Sequence, residues 1–148
     1  MCSDSRQPQS TTSASMPDTP LQENPTGTSR APILKLRMRV MTGDVIAIGP
    51  GKIDLLEAID ASKSISAAAK SMGMSYRRAW LLVDEINRTL SAPAVTTATG
   101  GARGGGTDLT ETGRLVVELY RRIEQRAMKA CQADIDKLVA LAQGACKP

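Results

Sequence analysis

The chain has 148 residues, a formal net charge of +4, 2% aromatic residues and no histidine. Once a low-complexity beginning is set aside, that length holds one domain of ordinary size. Its core must come from Leu, Ile, Val, Met and Ala, which suits close-packed helices. The missing imidazole removes the usual general base and the usual zinc ligand together, so no enzyme, cofactor or metal site is expected. A modest cationic excess fits an anionic partner and equally a protein that has none. Cys2, Cys131 and Cys146 form no Cys-x-x-Cys pair and lie near the two ends, so no disulfide framework or thiolate cage is read from them. With no apolar run of membrane-spanning length and no secretory leader, a reducing, cytoplasmic setting and no membrane partner are expected.

Residues 1–29 are rich in Ser, Thr, Pro, Gln and Gly, and cannot repay the entropy of ordering themselves; they are expected to be a disordered tail. From Ile33 to Val40 apolar residues alternate with Lys35, Arg37 and Arg39, which predicts a half-buried strand with a basic outer face. Thr42-Gly43-Asp44 then allows a turn, and Val45 to Ile48 a return strand.

Ile53, Leu56 and Ile59 predict a helix from about Gly51 to Ala61, with Lys52, Asp54 and Glu57 on its wet side. Ser64 is placed to cap a short helix burying Ile65, Ala68, Ala69 and Met72, which the Gly73-Met74 step ends. Ser75 is placed to cap the next helix, whose buried stripe is Ala79, Leu82, Val83, Ile86 and Leu90. Small residues and a glycine turn between the two are the signature of a helix-turn-helix.

A strand at Pro93–Ala98, a tip from Gly100 to Gly106 and a return at Thr107–Leu109 predict a hairpin. Thr110 is placed to cap a final helix with Glu111 favouring its start, and apolar steps from Leu115 through Ile123 and Ile135 to Leu141 run past what a small domain needs to cover itself. The expected fold is therefore mainly α with a small β-hairpin wing: a winged helix-turn-helix over residues 30–122, followed by a long C-terminal dimerisation helix and tail over residues 123–148. A two-fold homodimer would bury the extra stripe and set two reading helices one turn of DNA apart.

On the helix after Ser75, the outward positions include Arg77 and Arg78, with Tyr76 and Trp80 at the flank. Such arginines can take guanine in a two-pronged contact or hold phosphate, and Ser75 and Tyr76 offer hydroxyls to the backbone. The alternative for the arginines is an ordinary solvated face, and for Trp80 a partly buried structural role. Lys63, Ser64 and Ser66 fall where the preceding turn meets the DNA backbone, for positioning rather than reading. Arg103, alone among glycines, is placed to enter a minor groove or grip a phosphate, or else belongs to a surface loop that does neither. The same glycines lack the lysine and Ser/Thr of a nucleotide-phosphate loop.

Three blocks of residues resemble the N-terminal DNA-binding domain of the ModE-type molybdate-responsive regulators. They are Ser64-Ile65-Ser66-Ala67-Ala68-Ala69-Lys70, Met72 through Trp80 with Val83-Asp84-Glu85-Ile86-Asn87, and Ala98 through Gly106 with Leu109-Thr110-Glu111-Thr112-Gly113. The likeness runs from about Leu34 to Arg122. It implies a winged helix-turn-helix that dimerises through helical elements flanking the wing and binds an inverted-repeat operator in double-stranded DNA. Ser75, Tyr76, Arg77 and Arg78 would then serve on the recognition helix and Arg103 on the wing. Full-length members carry C-terminal oxyanion-binding modules; the length of this chain leads to the expectation that it has none. The rival to a sequence-specific regulator is an architectural or protein-interaction module of the same fold.

Overall fold

A computed structural model describes residues 31–100 and 105–143. Two short antiparallel strands open it, β1 (Val40–Thr42) and β2 (Val45–Ile48), joined by a two-residue turn in which Gly43 takes φ +59°. A glycine at the first turn position is what a II′ hairpin requires. Helix α1 (Pro50–Ser62) begins with proline in its first turn, where the missing N–H costs nothing. Then come α2 (Ile65–Ser71) and α3 (Tyr76–Thr89). Ser64 and Ser75 cap them as expected, accepting hydrogen bonds from the amides of Ala67 and Arg78, each at 3.2 Å.

α2 stops in a Schellman arrangement: Gly73 sits at φ +65°, and the amides of Gly73 and Met74 donate to the carbonyls of Lys70 and Ala69. That sharp reversal turns α3 across α2. Leu55, Leu56, Ile59, Ile65, Ala68, Ala69, Ala79, Val83 and Ile86 close into one core, and the alanines permit the close crossing. The strands β3 (Val95–Thr97) and β4 (Thr107–Leu109) pair antiparallel, Val95 opposite Leu109 and Thr97 opposite Thr107, and add Val95 and Leu109 to the same core. Helix α4 (Glu111–Ala130) follows, capped by Thr110, whose hydroxyl accepts from the Gly113 amide at 3.1 Å. The fold is a mainly helical winged helix with a hairpin wing.

Three expectations change. The alternating run before β1 keeps its alternation, with Leu34, Leu36 and Met38 half-buried and Lys35, Arg37 and Arg39 exposed, but residues 31–39 pair with no strand. They are held instead by side chains, among them Tyr120, whose hydroxyl donates to the Met38 carbonyl at 3.0 Å. Lys52, expected to be wet, is buried. Its ammonium donates to the carbonyls of Ile46 and Ala47 and pairs with Glu85 at 3.1 Å, tying β2 to α3.

The C-terminal run is also divided in two. Cys131 departs from helical geometry (ψ 13°), and α5 (Gln132–Gln143) starts afresh, with the Ile135 amide donating to the Cys131 carbonyl at 2.9 Å. The expectations for the first 29 residues and for Arg103 lie outside the described residues.

Candidate nucleic-acid interface

Helix α3 has three sides. Ala79, Val83 and Ile86 face the core. Tyr76 and Trp80, one turn apart, look toward the wing and are 54% and 44% exposed. Trp80 is thus less buried than expected: it lines one wall of a groove of about 520 Å³ together with Tyr76, Ser64, Ser66, Thr97, Thr99 and the glycines at the wing base. On the opposite flank, Arg78 lines a separate cavity with Arg39, Lys52, Leu82 and Glu85. Arg77 lies between these flanks on the outward face. Lys63, Ser64, Ser66 and Tyr76 therefore share one groove, whereas Ser75, Arg77 and Arg78 lie outside its lining.

Charge pairing divides the cations of this surface. Arg88, near the end of α3, pairs with Asp84 at 2.9 Å, and Lys52 with Glu85 at 3.1 Å. Arg77 and Arg78 have no carboxylate partner among the described residues. At the start of a helix, these guanidinium groups add to the positive end of the backbone dipole. Ser64 and Ser75 use an oxygen lone pair for capping, which leaves each hydroxyl proton able to donate elsewhere. Ser66 is exposed at the start of α2.

Lys63 differs from the other site residues. Its ammonium donates to Asp60 and Asp108, each at 2.8 Å. The Asp108 bond, and then the Asp60 bond, hold the lysine pKa above its ordinary value, while Lys63 holds the Asp108 carboxyl below its own.

Asn87 is a residue that sequence reasoning passed over except as part of the family likeness. Its side-chain oxygen accepts from the amides of Ala94 (2.8 Å) and Val95 (3.1 Å), and its amide donates to the Val95 carbonyl at 3.0 Å. One side chain thus ties the end of α3 to the root of the wing. An asparagine inside a helix, where its propensity is poor, was the available signal.

Comparison with curated proteins places this arrangement among known sequences. The chain is 42% identical over 88 residues to the molybdenum transport protein ModE of Azotobacter vinelandii, covering 60% of this chain and 33% of that one. It is 42% identical over 81 residues to the DNA-binding transcriptional dual regulator ModE of Escherichia coli K12, covering 55% and 31%. The likeness to the Yersinia pestis transcriptional regulator ModE is 35% over 113 residues, covering 72% and 41%. The matched part of this chain is ModE-like.

The chain spans between about a third and two fifths of the length of these ModE relatives. No family model matches it. The fold described above and the ModE likeness thus point the same way, and among the described residues no helix is long and apolar enough to cross a membrane.

Proposed function

We propose that this chain is a ModE-like transcriptional regulator that binds double-stranded DNA at an inverted-repeat operator and acts as a homodimer. The observation that carries the reading is the pair Arg77 and Arg78, exposed at the start of a rigid, capped helix and without carboxylate partners among the described residues. In a helix-turn-helix the first turns of the second helix enter the major groove, so these are the side chains delivered to base edges. The groove beside α3 suits the sugar-phosphate backbone: Ser64, Ser66 and Tyr76 supply hydroxyl donors to phosphate and Trp80 an apolar wall, with Ser75 at the exposed start of α3 as a further donor. Arg103 at the wing tip is proposed to reach an adjacent minor groove or phosphate.

Dimerisation is proposed for the side away from the groove. Leu115, Leu119 and Ile123 form an exposed stripe on α4, and Leu138 and Leu141 leave α5 at 57% and 76% exposure. Burial against a second copy removes this surface from water and supplies the two-fold axis that a palindromic site requires.

The test is selection of duplexes from a random pool by the purified chain, then competition between the selected duplex and a scrambled one at near-physiological salt. An imperfect palindrome is expected. Arg77→Ala or Arg78→Ala is expected to weaken the selected duplex by about 1–3 kcal/mol if a bidentate base contact is lost, with unfolding free energy within about 0.5 kcal/mol of the parent. Equal affinity for selected and scrambled duplexes would replace this reading with that of an architectural module.

A further inference from the structure

We infer that Lys63 and Asp108 form a clamp that sets the pose of the wing against the helix-turn-helix, and that Lys63 serves DNA recognition through this clamp and not by gripping a phosphate. The inference rests on the DNA-binding reading and assigns Lys63 a positioning role within it. Backbone geometry supplies the first observation. Lys63 takes φ +55°, the left-handed region that side chains disfavour, and among the described residues it is the one non-glycine to do so. There its amide donates to Ile59 at 2.7 Å, ending α1, and its carbonyl accepts from the Thr107 amide of β4 at 3.0 Å.

The side chain repeats the connection. Its ammonium bridges Asp60, on α1, and Asp108, on β4. Asp108 Oδ1 also receives the Arg114 guanidinium at 3.0 Å and the Leu109 amide at 2.8 Å. Backbone and side chain of one residue therefore both hold the return strand of the wing. That strand has three residues and a three-pair ladder, too little to fix the wing's direction by itself. Asn87 secures β3 to α3, and Lys63 secures β4 to the α1–α2 turn, so the wing is held from both strands.

Charge argues against the phosphate alternative. Lys63 and Arg114 are balanced by Asp60 and Asp108, so the junction offers no net positive charge to a phosphate. Two of the three ammonium N–H groups are already given to carboxylates at 2.8 Å, so a phosphate approaching the third would meet a charge-balanced group flanked by two negative charges. Arg77 and Arg78, without carboxylate partners among the described residues, lie on α3 instead.

The experiment is duplex binding by the full chain, with selected and scrambled duplexes, across a salt series for the parent, Lys63→Gly, Asp108→Asn and the double variant. Glycine suits the left-handed position, so Lys63→Gly removes the side-chain half of the clamp and keeps the carbonyl bond to Thr107, while its thermal midpoint is held or raised. Asp108→Asn removes the charge and keeps an oxygen for the Leu109 amide. Each single variant is expected to lower the selected-over-scrambled ratio about 2–5-fold, the scale of an exposed ion pair. The double variant should lose no more than either single one, and the salt slope should stay unchanged. A phosphate contact predicts the reverse: Lys63→Gly would lower the salt slope by about 1 on both duplexes, and Asp108→Asn, by freeing the ammonium, would tighten binding. Either that pattern or variants indistinguishable from the parent would overturn the clamp. A parent chain with no preference between the duplexes would instead overturn the DNA-binding reading, and the clamp's role with it.

Discussion

Helices α3 and α4 both bury one face against the same core, and they treat the other face in opposite ways. α3 carries outward Arg77 and Arg78, with the aromatic pair Tyr76 and Trp80 beside them, and pairs its cation only near its far end, at Arg88. Along α4 most cations are paired: Arg114 meets Asp108 at 3.0 Å, Arg121 meets Asp54 and Glu57 at 2.7 Å and Glu124 at 3.0 Å, and Arg122 meets Glu118. Arg126 and Lys129, near its end, are left without a carboxylate partner among the described residues. Its exposed large apolar residues are Leu115, Leu119 and Ile123. A face with unpaired guanidinium groups is prepared for an anion, because no desolvation of an existing ion pair precedes contact. A face on which bare leucines lie beside paired charges is prepared for an apolar surface.

That contrast breaks most visibly if the apolar face is spoiled. In Ile123→Asp with Leu138→Asp, side chains that are 53% and 57% exposed are lost. Full burial of each would be worth about 1.5–3 kcal/mol, about half of it remains to be gained on association, and the change occurs twice per two-fold interface, so association should weaken by at least about 3 kcal/mol. Sedimentation equilibrium should show a monomer with unchanged helix content. A parent chain that is already monomeric at micromolar concentration would remove the dimer from the proposal.

An intermediate effect is expected where the two regions join. A Cβ at Gly113, in the first turn of α4, would lie 2.2 Å from the Ala94 carbonyl oxygen. That oxygen cannot withdraw freely, since it accepts from the Thr110 amide at 2.9 Å. Gly113→Ala should destabilise the fold by about 1–3 kcal/mol, read as a lower urea midpoint. Both regions should unfold in one transition; separate transitions would show that they are independent.

The smallest effect concerns the spent charges. The Arg121 hydrogen bond holds Glu57 below its ordinary value of 4.5 despite partial burial. A depressed carboxylate stabilises the fold fully above its unfolded pKa, and that share is lost as pH falls through the folded value. Between pH 7 and pH 3 the parent should therefore lose more stability than Glu57→Gln. The difference should stay below about 1 kcal/mol, because the pair is partly exposed and screened. Asp54 and Glu124 also face Arg121 and share the acid response. Equal losses in the two proteins would show that Glu57 contributes nothing.

Much of the local structure was legible without coordinates. Ser64, Ser75 and Thr110 cap the helices predicted for them, because a hydroxyl just before an apolar period satisfies the first free amides wherever the helix is placed. Gly73 and Gly43 stand where a left-handed backbone is required. The buried stripe of α3 followed from its period. These are decisions made within a few residues, which neighbouring sequence carries in full.

Other features required distant residues to meet. Lys52 has the pattern of a wet helix position, yet carbonyls of β2 and the Glu85 carboxylate surround it. Lys63 reads as a surface cation until Asp108, 45 positions away, appears beside it. The stretch before β1 alternates as a strand does, but a strand also needs a neighbour to pair with, and periodicity says nothing about whether one is present. Sequence by itself determined the helices, their caps, the order that makes a winged helix and the residue types on the outward face of α3. Only the tertiary structure decided which cations are consumed by carboxylates and which remain available, because an ion pair depends on where two chain segments meet and not on what either contains.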